Sequence, residues 1–379
     1  MKNKIFLCEF LVSSCLSGKK TRLFDHATRM SPTKISSSDQ RVIRLGIQLV
    51  VPTVVSVMMF SEHLRAQDKF SFDGYIATTA TTVYKALHPD IFYHAKIEVQ
   101  YDVTKSIEAQ VQIKGQSNEG EKIRFREANI RVKLNKEDKI KVGNLKKPIG
   151  DEELYSEEDL VTIDRTYIYN YLSPMNHVGR DIGVQFIHEP DEKGLEYNLG
   201  VYLNNSSTFA ATARLASYDL LSPVVLSVSS VFQNLRLDEG VSIATVLGNL
   251  SVSRTGERVS WVGESFYGID PYASRFAQLE TGSSTKKVWF ASAKAIASYF
   301  IPTGNEREGV EPLVLFGYLL PDTRNSKIYT LEFIMGMNYY LNKHTRARIN
   351  VHPLLSKNGV DEAFSQTGSS VSLEFQLRW

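Results

Sequence analysis

The chain has 379 residues, 42% of them apolar and 23% charged, with a formal charge of +2 at pH 7. Residues 1–66 hold ten of the basic and four of the acidic groups, so the rest carries −4, which argues against a nucleic-acid partner and its concentrated basic face. Both cysteines, Cys8 and Cys15, also fall in those first 66 residues, which excludes a disulfide framework or a Cys-based metal site from the remainder.

Arg41 and Arg44 precede the apolar run Leu45–Phe60, and Leu64-Arg65-Ala66 then sets a small residue before Gln67. Basic, apolar, small at the cut is the order of a secretory signal. A transmembrane helix needs about 20 apolar residues, whereas this run is shorter and holds Gln48 and Pro52. Met30 offers a second start, leaving a leader Met30–Ala66. Val12-Ser13-Ser14-Cys15 has the outline of a lipoprotein cleavage site, but Glu9 breaks the apolar stretch before it. The expectation is a leader over 1–66, cut after Ala66, and a single unit over 67–379.

From Phe70 onward the pattern has period two. Leu195, Tyr197, Leu199, Val201 and Leu203 alternate with Glu196, Asn198, Gly200, Tyr202 and Asn204. Tyr329, Leu331, Phe333, Met335, Met337, Tyr339 and Leu341 share one face, and so do Val371, Leu373, Phe375, Leu377 and Trp379. Such alternation gives each strand one apolar and one polar face. In a soluble sandwich the apolar face packs on a second sheet; in an outer-membrane barrel it meets lipid while the polar face lines water. Strand length favours lipid, because soluble strands average about five or six residues and these are commonly twice that. Trp289 and Tyr299 also bracket Ala291, Ala293, Ala295 and Ala297, a spacing that matches a tilted crossing with an aromatic at each interface.

The spacing predicts strands over 70–83, 91–102, 105–117, 122–134, 137–146, 180–189, 194–204, 208–218, 223–233, 240–252, 257–268, 285–300, 310–320, 327–341, 344–352 and 370–379. The alternation is weakest over 208–268. Sixteen is an even number, which puts both chain ends on one side of the membrane. Asp102-Val103-Thr104-Lys105, Asn135-Lys136-Glu137-Asp138, Arg254-Thr255-Gly256-Glu257 and Asn342-Lys343-His344 then become short periplasmic turns. The long connections 147–179, 269–284 and 353–369 fall on the extracellular side. The fold class is therefore all-β: a transmembrane, antiparallel, up-and-down β-barrel of about 16 strands in a bacterial outer membrane.

No catalytic constellation emerges. His88, His94, His177, His188, His344 and His352 lack an HExxH or paired-ligand spacing, and there is neither a GxSxG elbow nor a phosphate-binding glycine loop. No metal or cofactor is expected. The connection 147–179 holds seven acids (Asp151, Glu152, Glu153, Glu157, Glu158, Asp159, Asp164) against Lys147 and Arg165, with a short helix expected over 151–160. It is read either as an inward-folded third extracellular loop or as a solvated surface loop. On the polar faces lie Lys96, Lys114, Arg131, Lys133, Arg214, Lys294, Arg346, Arg348 and Arg378, with Glu98, Glu108, Glu196, Glu332 and Glu374. The wall leans basic while the loop leans acidic, and rings of fixed charge set ion preference in a narrow pore.

Several stretches resemble the phosphate-selective porin O and P family. Lys141-Val142-Gly143-Asn144-Leu145-Lys146-Lys147-Pro148-Ile149-Gly150 is similar to that family's G-x-[LF]-K-x-P-[FI]-G. Glu153-Leu154 and Ile163-Asp164-Arg165 sit where the family has its E-x-L … ER. Gly179-Arg180-Asp181-Ile182-Gly183-Val184-Gln185 matches GRDIGVQ. Ala297-Ser298-Tyr299-Phe300-Ile301-Pro302-Thr303-Gly304 resembles ASYFLTGE, and Gly336-Met337-Asn338-Tyr339-Tyr340-Leu341-Asn342 resembles GLNYYLN. The resemblance implies a sixteen-stranded, homotrimeric porin whose third loop narrows a channel lined by Lys and Arg and passing phosphate-type anions. The acidic loop, and Trp379 where the family more often ends on Phe, depart from that pattern.

The expected function is passive diffusion of small hydrophilic solutes, with anions such as phosphate among them. The alternative is a non-transporting barrel that is structural, adhesive or part of an export machine. The candidate pore-lining or anion-binding residues are Lys146, Lys147, Arg165, Arg180, Arg131, Lys133, Lys294, Arg346 and Arg348.

Overall fold

The computed structural model describes residues 69–379 except 85, 87, 118–121, 192–193, 204–206, 222, 238–240, 305–307, 360–364 and 367. The expected leader over 1–66 lies outside the described residues. Strand β1 spans Phe70–Val83, β2 Asp90–Asp102, β3 Ile107–Gln116, β4 Lys122–Lys133 and β5 Asp138–Lys146. After the connection 147–179 come β6 Arg180–His188, β7 Leu195–Leu203, β8 Ser207–Leu221, β9 Val224–Arg236, β10 Ser242–Thr255 and β11 Val259–Asp270. The chain finishes with β12 Val288–Tyr299, β13 Gly309–Leu320, β14 Ile328–Tyr340, β15 Thr345–His352 and β16 Ser370–Arg378.

Each strand pairs antiparallel with its neighbours in sequence, and β1 closes on β16 from Tyr75↔Arg378 to Val83↔Ser370. Closure leaves no sheet edge, the condition for strands to cross a bilayer. Two crossings are interrupted. Ile301–Pro302 continues β12 along β13, and Leu354–Asn358 continues β15 along β14 beyond Pro353. Counted as crossings, the closed sheet has sixteen strands.

Alternation sorts the two faces as the sequence requires. Val371, Leu373 and Phe375 of β16 are exposed on the outside, while Ser372, Glu374 and Gln376 are buried inside. On β12 Tyr299 is exposed and Lys294 buried; Trp289 stacks on Tyr267 of β11 with ring centroids 5.0 Å apart. The faces are less distinct over β9–β13, where Val231, Leu247, Phe266, Phe290 and Leu319 are buried apolar residues on the inward register. Polar residues are the usual lining of a water-filled lumen, so these positions point to a different neighbour.

The short connections 103–106, 134–137, 256–258 and 341–344 all lie at one end, as expected. Two long connections are more ordered than the sequence indicated. The β11–β12 connection carries a helix over Pro271–Thr281: Asp270 caps it by accepting from the Ala273 amide at 2.9 Å, Pro271 fits a first-turn position, and Gly282 ends it at φ 67°. The expected loop 353–369 begins with the strand segment Leu354–Asn358. Pro353 hid this continuation, because a residue without an N–H reads as a strand end.

Candidate functional site

The connection 147–179 begins where Lys147 is fully buried, its Nζ 2.6 Å from Asp181 Oδ2 and donating to the Asn176 carbonyl at 2.6 Å. Both roots of the segment are thereby tied together. Gly150 then turns the chain at φ 77°, a left-handed conformation that favours glycine. A Cβ there would lie 3.0 Å from both Glu264 Oε1 and Phe266 Cζ of β11, so absence of a side chain allows the backbone to approach that strand. The Asp151 amide donates to Glu264 Oε1 at 2.6 Å.

Beyond Gly150 the expected helix over 151–160 is broken into one turn at Asp151–Leu154 and a 3-10 turn at Glu157–Asp159. A second helix, Tyr167–Leu172, follows, with Thr166 accepting from the Tyr169 amide as its cap. The segment meets the wall in two ways. Ile149, Ile168, Leu172, Met175 and Val178 pack in one cluster with Val231, Leu247, Phe266, Phe290 and Leu319 of β9–β13. The 157–162 stretch adds polar contacts, while its Val161 packs against Leu313, Leu315 and Ile334. Glu157 pairs with Lys114 of β3 and Arg126 of β4, and Glu158 pairs with Lys96 of β2. Arg348 of β15 donates to the carbonyls of Leu160 at 2.9 Å and Thr162 at 2.8 Å. Strands β3 and β11 stand eight apart in a closed sheet of sixteen, so contacts to both span opposite walls of the barrel.

The acidic loop and basic wall, which stood in opposition in the sequence, are therefore partners. Burial pushes the Glu157 carboxyl up, but Lys114 and Arg126 outweigh it and hold the group well below the ordinary glutamate range. Burial likewise works against Glu152, where Lys294 and Arg165 prevail and hold it low. His177 is also fully buried rather than solvated: burial lowers its pKa to about 4, against the opposing effect of its contact with the Ile269 carbonyl at 3.1 Å.

Most of the candidate basic residues are occupied by protein groups. Lys294 lies between Glu152 and Glu264, the latter at 3.1 Å. Arg348 pairs with Glu374, and Arg346 donates to Gln376 at 2.6 Å and to the Glu158 carbonyl. Arg180 forks onto Glu127 Oε1 at 2.9 and 3.1 Å. Arg165 lies over the Tyr169 ring, 4.3 Å from its centroid, and donates to the Glu152 carbonyl. Lys146 reaches the Tyr155 carbonyl at 3.2 Å. Arg131 and Lys133 share Glu108, at 2.9 and 3.8 Å. The inward register also carries two residues the sequence reading passed over, Lys139 and Lys141, opposite Lys133 and Arg131 across the β4–β5 ladder. Lys139 pairs with Glu189, while Lys141 has no acidic group within 4 Å among the described residues. The signal was present: Ile140 and Val142 alternate with these lysines just as on other strands.

A closed sixteen-stranded barrel with an apolar belt, a charged interior and short turns at one end defines a porin of the bacterial outer membrane. Residues 87–220 match the family model described as Phosphate-selective porin O and P. Among solved structures of similar fold, OmpF of Salmonella typhi in complex with daunomycin has a TM-score of 0.60 at 10% identity, covering 82% of this chain and 97% of that one. The outer membrane channel DcaP of Acinetobacter baumannii has a TM-score of 0.60 at 9% identity, with the same coverage of 82% and 97%. An anion-selective porin from Comamonas acidovorans has a TM-score of 0.56 at 12% identity over 82% of this chain and 99% of its own. No curated protein matches the chain in sequence.

Proposed function

We propose that this porin passes small hydrophilic solutes passively, that segment 147–179 narrows its lumen, and that it prefers anions, phosphate among them. The observation that carries the preference is the cluster Arg131, Lys133, Lys139 and Lys141 on the inward faces of β4 and β5. Four cations there face Glu108 and Glu189, and Lys141 has no acidic partner within 4 Å among the described residues. An uncompensated ammonium inside a low-dielectric wall attracts anions more strongly than one in bulk water. The phosphate class comes from the family description, and the anion-selective Comamonas porin shares the fold. A homotrimer is part of the proposal, by analogy with OmpT of Vibrio cholerae, whose fold is similar and which is described in a trimer form.

Single-channel recording in planar bilayers tests this. The wild-type protein is expected to give steady conductance and a reversal potential of anionic sign in a KCl gradient. Lys141→Ala should lower the anion/cation permeability ratio by about tenfold or less, the scale of roughly 1 kcal/mol. A cation-preferring wild type, or an unchanged ratio in Lys141→Ala, would remove this cluster from selectivity. Absence of any conductance would favour the non-transporting barrel.

A further inference from the structure

Between segment 147–179 and strands β10–β13 lies a cavity of about 190 Å³. One part of its lining is apolar: Leu160, Val161, Trp261, Val262, Ile296 and Leu315. Another part is acidic, with Asp151, Glu152 and Glu264 around Lys294, which already pairs with Glu152 and Glu264. Asp151 is 7% exposed, its Oδ2 is buried without a hydrogen-bond partner, and no cation lies within 4 Å of it among the described residues. Arg254 also lines the cavity but pairs with none of these acids. The lining includes the exposed Tyr155, Asp159, Arg254 and Thr255, so one side of the cavity reaches solvent.

We propose that this cavity is a binding subsite for small amphipathic cations, an ammonium group carried on an aryl or short alkyl body. A buried carboxylate oxygen with no partner is costly, and a cation that supplies charge and a donor removes that cost. A cavity of about 150 Å³ lined by apolar side chains is large enough to hold a benzene ring, so an aryl body fits the space beside Val262 and Ile296. The two features complement each other. An inorganic cation would leave the apolar wall wet, and a neutral aromatic would leave Asp151 unpaired. The inference deepens the channel reading by naming a solute class that pauses in the lumen, and it concerns a site distinct from the β4–β5 lysines.

The test uses the full protein in detergent and 2-phenylethylammonium as the probe, with ethylammonium and 2-phenylethanol as controls. Calorimetric titration is expected to show the probe binding at least about tenfold more tightly than either control. Asp151→Asn and Ile296→Ser should each weaken it by roughly fivefold to tenfold. The same probe should interrupt single-channel current in wild type, with shorter interruptions in both variants. Equal binding of probe and controls, or wild-type affinity in both variants, would overturn the proposal. A protein that conducts ions but shows no selective binding refutes this subsite alone, whereas one that binds the probe without conducting refutes the channel reading and leaves the subsite standing. Two variants are used because Asp151 lies beside the turn at Gly150; Ile296→Ser tests the site from the opposite wall.

Discussion

The two ends of segment 147–179 and its middle are fastened to the barrel by different chemistry. The ends, through Ile149, Ile168, Leu172, Met175 and Val178, are buried against apolar residues of β9–β13. The middle, from Glu157 to Thr162, is held by Lys96, Lys114, Arg126 and Arg348 on β2–β4 and β15. Burying an aliphatic or Met side chain contributes about 1.5–3 kcal/mol, and five such side chains act together at the ends. An ion pair taken out of water recovers little more than its desolvation cost. The apolar ends therefore hold the segment in place, while the ionic middle sets where its polar groups stand. The ends, whose ion pairs Lys147–Asp181 and Glu152–Lys294 are out of water, should respond less to salt than the middle does.

The largest effect is expected at the apolar ends of the segment. Leu172 is 1% exposed within the cluster. Leu172→Ala should cost about 2–5 kcal/mol, the range for truncating a buried leucine. Because the barrel is held by its closed ladder, that loss is expected to appear as local loosening of the segment, with larger and noisier single-channel conductance at every salt concentration. A quiet, wild-type channel in Leu172→Ala would show that the ionic middle suffices.

The middle is tested by Glu157→Gln. The glutamine keeps the shape but removes the charge that faces Lys114 and Arg126, whose side chains are 8% and 30% exposed. The expected cost is about 1–3 kcal/mol, below that of a fully buried pair because water still reaches Arg126. Two cations are released into the lumen, so anion preference should rise, and more at 0.1 M salt than at 1 M. The pH dependence follows from the lowered pKa of Glu157. A depressed folded-state value means the contact is fully present above the ordinary glutamate pKa of about 4.3 and is lost only as pH falls through the lower folded value. Wild-type conductance should hold steady from pH 7 to about 4.3 and change in stronger acid, whereas Glu157→Gln should show no such transition.

The outer face of the barrel was open to reading in the sequence because one rule governs it: every second residue from Val371 to Phe375, or from Leu195 to Leu203, meets lipid. The inner face obeys two rules. Opposite water it is polar, but opposite the ends of segment 147–179 it is apolar, which is why alternation fades over 208–268, where Val231, Leu247 and Phe266 face inward. The helix Pro271–Thr281 carried its own signals in Asp270, Pro271 and Gly282. The opposition between acidic loop and basic wall was visible in composition, yet Glu157 and Lys114 lie 43 positions apart. Only closure of the barrel brings them together, so their roles as mutual partners were beyond the reach of local pattern.

The smallest effect is expected at the rim of the ionic middle. Asp159 pairs with Arg378 of β16, and both side chains remain open to water, 44% and 33% exposed. An exposed pair gains little Coulomb energy in high dielectric and spends side-chain entropy to hold its geometry, so it is worth about 0–1 kcal/mol. Glu158, next in the chain and 3% exposed, already fixes this stretch through Lys96. Asp159→Asn should therefore leave thermal stability and mean conductance within error of wild type. It should raise anion preference slightly at 0.1 M salt, because Arg378 loses its counter-charge, and that shift should vanish at 1 M, where the screening length falls to about 3 Å. A loss of conductance steadiness as large as that of Glu157→Gln would show that the middle is held as one cooperative network rather than by its buried pairs, and the division between firm ends and a tunable middle would have to be redrawn around Arg378.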